Sequence, residues 1–350
     1  MKKIVKQVVG VDVAQKELVV CLGRMYVDLT LELYSHATFS NTKRGFDAMI
    51  KWVKKLTTET TPVRYVMEAT GVYHESLAYH LEENHDEVSI VLPNKISNFL
   101  KTLEVKTITD KTASEAIARF GLERQLGCWK HPKKIFKTLK QLTRERDQIV
   151  ETRTMAKNQL HAEMAEAFPN PSSVTRVKKL IKLLDQQVAQ IIKEITVLVK
   201  QDKELNQSVE TICSIPGVGS LTAVTILAET NGFELIRNKR QLTSYAGLDV
   251  REKQSGTSIK GKPRISKKGN KHLRKAMHLP ALAAIRHEEK FKAVFVRLVS
   301  KHGIKMKAAV AVQRKLLEMV YTIHKTNLPY QKDYQKARNE KYEEQETAMA

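Results

Sequence analysis

Two carboxylates stand where buried strands are expected. Asp12 interrupts the apolar run from 8 to 13, and Glu68 closes a later strand-like run. An acid in a buried strand costs free energy unless it is paired or binds a metal ion. No Lys or Arg falls in the adjacent strand core, so a hard divalent cation with oxygen ligands is favoured over a salt bridge. Asp110 is a third candidate ligand, although Thr109 or Asp110 would equally serve as a helix N-cap.

A second group of candidate residues lies between positions 251 and 275, where ten Lys or Arg accompany one acid. With three glycines and one proline, much of this stretch is predicted to be loop, and its cations would follow a phosphate backbone. Ser255, Thr257 and Ser258 lie among the cations, and a hydroxyl becomes a nucleophile only with an activating base, metal or charge. Without such activation the stretch is a solvated basic loop. The candidate phosphate-binding residues are Lys260, Lys262, Arg264, Lys267, Lys268, Lys271, Arg274 and Lys275.

A glycine-containing turn precedes this region. Gly217 and Gly219 flank a small apolar residue in the stretch 215–219, and a helix pattern follows. The arrangement resembles the hairpin of a helix-hairpin-helix motif, in which a helix N-terminus offers free N–H groups to a phosphate. An ordinary turn between two helices would show the same residues.

Composition favours a polyanionic partner. The 350 residues include 60 Lys or Arg against 38 Asp or Glu, a net charge of +22, which favours nucleic acid first and an anionic membrane surface second. No apolar run approaches the ~20 residues of a transmembrane helix, and the N-terminus does not resemble a signal peptide. Three widely spaced cysteines fit a reducing compartment. We therefore expect a protein of the cytoplasm without a membrane partner.

The first part of the chain, 1–126, is predicted to be an α/β domain. Three antiparallel-looking strands come first. Asn41-Thr42 then precedes a helix pattern over 43–56, and a strand pattern follows over 63–68. Strand–helix alternation after three such strands suits a mixed sheet better than a doubly wound parallel one. A breaker-rich linker and two long helices are predicted for 127–212. The region 213–330 is predicted to be mainly helical, and 331–350 is a polar tail without apolar periodicity.

The second long helix carries a heptad seam typical of a coiled coil. Two interpretations remain open: a helical hairpin within one chain, with its tip at 169–173, or a dimerisation arm. The seam consists of Val177, Ile181, Leu184, Val188, Ile191, Ile195 and Leu198, and it resumes at Leu205, Val209 and Ile212.

Taken together, the motifs resemble the insertion-sequence-110 family of bacterial transposases over residues 8 to 330. Six motifs occur in the family's order: Gly10-Val11-Asp12-Val13-Ala14, Glu68-Ala69-Thr70-Gly71-Val72-Tyr73, Thr109-Asp110-Lys111, Ile215-Pro216-Gly217-Val218-Gly219, Tyr245-Ala246-Gly247-Leu248, and Ser255-Gly256-Thr257-Ser258 with Gly261, Lys267, Gly269, Leu273 and Arg274.

The resemblance implies an RNase H-like N-terminal domain of the RuvC type, a coiled-coil segment and a C-terminal transposase domain. It implies Mg²⁺, or Mn²⁺, held by Asp12, Glu68 and Asp110, and a nucleophilic serine at Ser255. It also implies an RNA-guided recombinase whose structured RNA pairs with donor and target DNA, in the bacterial cytoplasm and associated with the nucleoid. Because exchange of two duplexes needs several active sites, a homodimer or homotetramer is expected.

One family position differs. The fourth acid of the family would stand at 113, where this chain has Ala113. Glu115 is two residues further along the predicted helix, about 200° away around its axis, so it does not simply replace the missing acid. Three interpretations follow: the site works with three acids, Glu115 reaches the metal by a local shift, or metal binding is impaired.

Two rival functions fit the same residues. A junction-resolving nuclease would use the same metal with water as the attacking group, which would leave Ser255 without a role. A non-catalytic nucleic-acid-binding protein would agree with the missing fourth acid. With a guide RNA, target choice would lie in base pairing and could not be read from side chains.

Overall fold

The computed structural model describes residues 3–69, 71–103, 107, 109–234, 236–252, 254–255, 259–261 and 263–332, with the backbone described at 254–255 and 259–260. The chain divides into two compact units, Met1–His131 and Pro132–Ala350. The first unit contains β1 (Ile4–Val13), β2 (Glu17–Tyr26), β3 (Leu31–Ser40), α1 (Lys43–Leu56), β4 (Val63–Glu68), α2 (Glu75–Glu83), β5 (Glu87–Val91), α3 (Pro93–Leu100) and α4 (Asp110–Glu123).

The sheet of the first unit is mixed, as the sequence predicted. Its described strands run in the order β3-β2-β1-β4-β5, with β1 antiparallel to β2 and parallel to β4. Alternation along β1 gives each face its own core. Val9, Val11 and Val13 pack with residues of α1 and α2, whereas Val8 packs with Ile117 of α4.

Helix α4 lies unusually close to β1. A Cβ atom added at Gly10 would stand 2.3 Å from the backbone nitrogen of Ala118 and 2.4 Å from the carbonyl oxygen of Ser114. Glycine is therefore required for this approach, because helix backbone cannot yield as a side chain can. The contact fixes where the N-terminus of α4 lies relative to β1.

Because of this contact, one methyl group added at position 10 is expected to destabilise the fold strongly. We expect Gly10→Ala to lower the free energy of unfolding by about 3 kcal/mol, the upper part of the range for overpacking. Gly127→Ala is the matched control, since no atom lies within 4 Å of a Cβ added there. Urea unfolding of both variants measures the difference, and equal stabilities would contradict the packing argument.

The second unit is helical apart from short strands. It contains α5 (Lys134–Met164), α6 (Pro171–Gln201), α7 (Lys203–Cys213), α8 (Ser220–Thr230), α9 (Lys239–Tyr245), β6 (Val250–Arg251), β7 (Gln254–Ser255), β8 (Ile259–Lys260), β9 (Arg264–Ile265), α10 (Lys271–Ala276), α11 (His278–His287), α12 (Glu289–His302) and α13 (Lys305–Thr326).

The two long helices, α5 and α6, pack against each other as a hairpin within one chain. On α6 the heptad positions Val177, Leu184, Val188, Ile191 and Ile195 are buried, as the seam predicted. Towards its end the buried position moves from Leu198 to Val199, because 3.6 residues per turn drift against a seven-residue repeat. The seam thus packs within one chain. We call the hairpin of α5 and α6 the arm, and a role for it in dimerisation remains a proposal.

The arm does not form a unit of its own, in contrast to the segment 127–212 that the sequence suggested. Leu139 and Leu142 of α5 and Ile191 and Ile195 of α6 share one core with the helices from α7 to α13. The predicted boundary at 212 therefore falls inside a continuous core. The division between the two units, after His131, lies close to the predicted boundary at 126.

Candidate active site

The parallel register of β1 and β4 brings two of the predicted acids side by side. Val11 pairs with Met67, so the next residues of the two strands, Asp12 and Glu68, are neighbours at the carboxyl ends. Strand alternation places both on the face covered by α4, because Val11 and Met67 belong to the opposite core. Both acids are half-buried.

The third acid, Asp110, lies at the N-terminus of α4. Thr109 caps this helix by accepting a hydrogen bond from the backbone N–H of Thr112, and Asp110 is its first residue. Since α4 packs on Gly10 one to two turns further on, its first turn lies near the carboxyl ends of β1 and β4. The three residues predicted from strand ends and a helix start are therefore brought to one edge of the sheet.

The negative charges of Asp110 and Glu68 both act on Asp12. The pKa of Asp12 is raised from 3.8 to about 6, first by burial, then by the negative charges of Asp110 and Glu68, and a hydrogen bond from the backbone of Val13 opposes the shift only in part. A group of this kind favours either a bound proton or a nearby cation.

The donor set fits a divalent cation chemically, because carboxylate oxygens are the ligands of Mg²⁺ and Mn²⁺. Within the part of the chain that the structure describes, however, no three His, Cys, Asp or Glu side chains are already grouped as metal ligands. Asp110 and Glu68 lie close enough to Asp12 to raise its pKa, but the three side chains would have to move to share an ion.

Glu115, considered above as a further ligand, is directed elsewhere. Its Oε1 lies 2.9 Å from Nε2 of His36 on β3, and its charge contributes to raising the pKa of the Cys21 thiol on β2. The acids that raise the pKa of Asp12 are Asp110 and Glu68, without Glu115. The structure thus gives no support to Glu115 as a replacement for an acid at Ala113.

The sequence did not indicate a role for Asn41, whose side chain connects two turns at the edge of the sheet where the acids lie. Its Nδ2 donates to the carbonyl oxygen of Ala14 at 2.9 Å and to that of Tyr73 at 3.2 Å. The side chain therefore ties the turn after β1 to the turn after β4, the two turns that follow Asp12 and Glu68. The signal was present as Asn41-Thr42, but it indicated only a helix start, and Thr42 is the cap that α1 uses.

The region of Ser255 is more ordered than a loop rich in glycine suggested. Antiparallel pairs join Val250 to Ile265 and Arg251 to Arg264, and further out Ser255 pairs with Ile259. Ser255 thus lies on one strand of a hairpin whose base is a short ladder. Lys262, residues 256–258, the tail from 333, and the side chains of Ser255 and Lys260 lie outside the described residues.

The described cations of the basic stretch have two kinds of surroundings. Lys275 pairs with Glu151 of α5 at 2.7 Å and lies 3.4 Å from Asp147, and Arg274 donates to the carbonyl oxygen of Ala246 at 2.7 Å. These two side chains therefore have contacts inside the protein. The other described members of the set, Arg264, Lys267, Lys268 and Lys271, are exposed.

The two glycines of the turn before α8 also differ. A Cβ atom at Gly217, where φ is +89°, would stand 2.7 Å from the carbonyl oxygen of Pro280 on α11, so this glycine is needed for helix packing. Gly219 is the N-cap of α8, without a capping side chain, and has open space beside it. Gly219 is therefore the better placed of the two to approach a phosphate.

The raised pKa of Asp12 makes a stability prediction. The folded protein holds this proton more tightly than the unfolded chain, so stability falls as the pH rises from about 4 to about 6. In EDTA at pH 7.5 we expect Asp12→Asn to raise the free energy of unfolding by about 1 to 2 kcal/mol, a value reduced for partial solvent exposure.

This gain should disappear below pH 4, where Asp12 is protonated in both states. Thermal unfolding of the two proteins from pH 3 to pH 8 measures it. A destabilised Asp12→Asn at pH 7.5 would contradict the repulsion among the three acids.

Two family models match this chain. A transposase model of the IS110 type matches residues 9–169, and a model described as the transposase IS116/IS110/IS902 family matches residues 209–295. The chain belongs to this family of transposases, as the motifs indicated, and its role is that of a transposase or recombinase. Among the described residues, no helix is both long enough and apolar enough to cross a bilayer.

Relatives are similar to this chain over different lengths. The pilin gene-inverting protein of Moraxella lacunata is 28% identical over 93% of this chain and 98% of the relative. The transposase for insertion sequence element IS1111A of Coxiella burnetii is 31% identical over 34% of this chain and 33% of its own length. Among solved structures, Thermus thermophilus RuvC covers 35% of this chain and 99% of its own, with 12% identity and a TM-score of 0.28.

Proposed function

We propose that this transposase cuts and rejoins DNA through a phosphoserine intermediate. Ser255 is the nucleophile, and Asp12, Glu68 and Asp110 hold a divalent cation, Mg²⁺ or Mn²⁺. The observation that carries the proposal is the convergence of these three acids from two parallel strands and a helix N-terminus, in a chain of the transposase family.

The chemistry of the serine balances without an added energy source. A bond forms between Ser255 Oγ and phosphorus while the bond from phosphorus to one DNA oxygen breaks. The serine proton leaves to a base, and the departing DNA oxygen gains a proton. Because the phosphodiester is conserved as a phosphoserine ester, a hydroxyl of another strand can attack it and reverse the step. Strands are thus exchanged without hydrolysis of a nucleotide.

When bound, a divalent cation would polarise the scissile phosphate and stabilise charge on the departing oxygen. Asp12, Glu68 and Asp110 would hold it, and the repulsion that raises the pKa of Asp12 would be relieved. Asn41 keeps the turns after β1 and β4 together, so these carboxylates keep their relative position. The N-terminal unit acts here as a RuvC-like, RNase H-fold domain.

The basic surface serves to hold the nucleic acids. The exposed Arg264, Lys267, Lys268 and Lys271 would contact phosphates, with Gly219 at the helix N-terminus as a further contact. Donor and target DNA are the substrates, and a structured guide RNA supplies the choice of site. The pilin gene-inverting relative agrees with a recombinase, since inverting a gene requires cutting and rejoining of DNA. The working form would be a homodimer or homotetramer.

A recombination assay tests this proposal. A supercoiled plasmid carrying the element's own ends is incubated with a target plasmid and Mg²⁺, with and without the transcript of the non-coding DNA beside the gene. Recombinant junctions that require the transcript are expected. Junctions formed equally well without RNA would overturn guidance, and linear products without junctions or adducts would favour the hydrolytic nuclease.

A further inference from the structure

A buried carboxylate in the second unit is not used by the mechanism above. The side chain of Glu229, near the end of α8, is 0% exposed. Arg144 of α5 binds it with two hydrogen bonds, from Nε at 2.6 Å and from Nη2 at 2.9 Å. Such paired bonds are the strongest and most directional that a carboxylate makes.

A third donor connects Glu229 to the basic stretch. Asn270 gives its Nδ2 hydrogen to Glu229 Oε2 at 2.7 Å, while its Oδ1 accepts from the backbone N–H groups of His272 and Leu273 and so caps α10. In addition, the hydroxyl of Tyr245 donates to the backbone carbonyl of Glu229 at 3.0 Å. Glu229 therefore joins α8 to α5 and α10 through its carboxylate, and to α9 through its backbone carbonyl.

These contacts end at the base of the hairpin that carries Ser255. Asn270 N–H donates to the carbonyl oxygen of Tyr245 at 2.7 Å, and Ser266 N–H donates to that of Asp249 at 2.8 Å. Ser266 Oγ also bonds Asp249 Oδ1 at 2.5 Å. We call residues 245–251 and 264–270 the stem. Its two sides are held to each other, and Asn270 holds it to Glu229.

The hydrogen bonds around Glu229 fix the relative position of their partners more than they add stability. Burial alone would raise the pKa of Glu229, but hydrogen bonds from Arg144 and Asn270 outweigh it and lower the pKa, so the carboxylate stays charged. Buried ion pairs contribute little net stability compared with apolar residues of similar volume. What the pair provides instead is a fixed distance and angle between the arm helix α5 and the stem.

We propose that Glu229 is a positioning residue: through Arg144 and Asn270 it fixes the stem to α5, so that the arm sets the position of the hairpin bearing Ser255. The proposal deepens the function above and rests on it for the catalytic consequence. The positioning itself can be measured without any DNA chemistry.

The test uses Glu229→Gln, Arg144→Met and the double variant in the full-length protein, with Glu318→Gln as control. Glu318 pairs with Arg314 at 3.1 Å along α13 and takes no part in the network. Hydrogen exchange is followed at the amides of Ser266, Lys267 and Asn270. Covalent adduct formation on the plasmid with the element's ends and its transcript, and DNA affinity, are measured in parallel.

We expect stem amides to exchange at least about tenfold faster in all three variants, with α13 amides unchanged. Adduct formation should slow by about 10²-fold, the effect of misplacing a reacting group, while DNA affinity changes less than about twofold. The double variant should resemble the single ones, since the residues act as one unit. It also removes the unpaired buried charge left by Arg144→Met and so remains informative if that variant unfolds.

Unchanged stem exchange would overturn the positioning role whatever happens to the adduct. Faster stem exchange with an unchanged adduct rate would overturn its role in the reaction. Should wild-type protein form no adduct, the phosphoserine mechanism fails, and the exchange measurement still decides the positioning.

Discussion

Replacing Ser255 by alanine is expected to abolish the covalent protein–DNA adduct and to lower recombination by about 10³-fold or more, as when a nucleophile is removed. The change removes one oxygen atom, so the adduct has no point of attachment. Denaturing gels of protein mixed with labelled donor DNA, guide RNA and Mg²⁺ measure the adduct. Mass spectrometry of the trapped peptide identifies the modified residue.

Ser258→Ala is the matched control, because it removes a hydroxyl from the same basic stretch, three residues away. It should keep both adduct and recombination. The reverse result, with activity lost in Ser258→Ala and kept in Ser255→Ala, would identify Ser258 as the nucleophile instead of Ser255. Cleavage without adduct that persists in both variants would favour the nuclease that uses water.

Replacing Asp12 by asparagine is expected to lower adduct formation and recombination by about 10³-fold, because a bound metal contributes several kcal/mol to transition-state stabilisation. DNA affinity at high salt should change little, since the basic stretch lies in the other unit. The assay is the same labelled donor DNA at saturating Mg²⁺, with the metal titrated separately.

The control for this change is Asp47→Asn. Asp47 is in the same unit but pairs with His80 at 2.9 Å, away from the three acids, and we expect it to keep activity. Because Asp12→Asn is expected to be more stable without metal, its loss of activity cannot be explained by unfolding. Full activity in Asp12→Asn would leave the non-catalytic reading of the N-terminal acids as the better one.

Elements with strong local determinants were predictable from the sequence. Helix 43–56 has the predicted bounds, because Thr42 caps its start and apolar residues follow at helical spacing. Strand 63–68 is likewise as predicted. Asp12 and Glu68 could be singled out as candidates from the sequence as well, because a carboxylate ending an apolar strand is chemically unusual wherever the strand lies.

What the sequence could not supply were contacts between distant segments. Glu229 looks like an ordinary polar residue near a helix end, and its partners Arg144 and Asn270 are 85 and 41 positions away. The side chain of Glu115 points towards His36 because the two form a pair. Helical periodicity could not predict this, since His36 lies on a distant strand. The arm was recognised from its heptads, but its union with the C-terminal core follows from packing of α5 on α8.

The central claim is that Ser255 and the three acids work around one metal ion. Substituting Fe²⁺ for Mg²⁺ in the DNA-bound assembly and adding ascorbate with peroxide cuts backbone close to the metal. The account predicts cuts near residues 12, 68 and 110 and also near 255, all lost in Asp12→Asn. Cuts confined to the N-terminal positions, with none near 255, would contradict it.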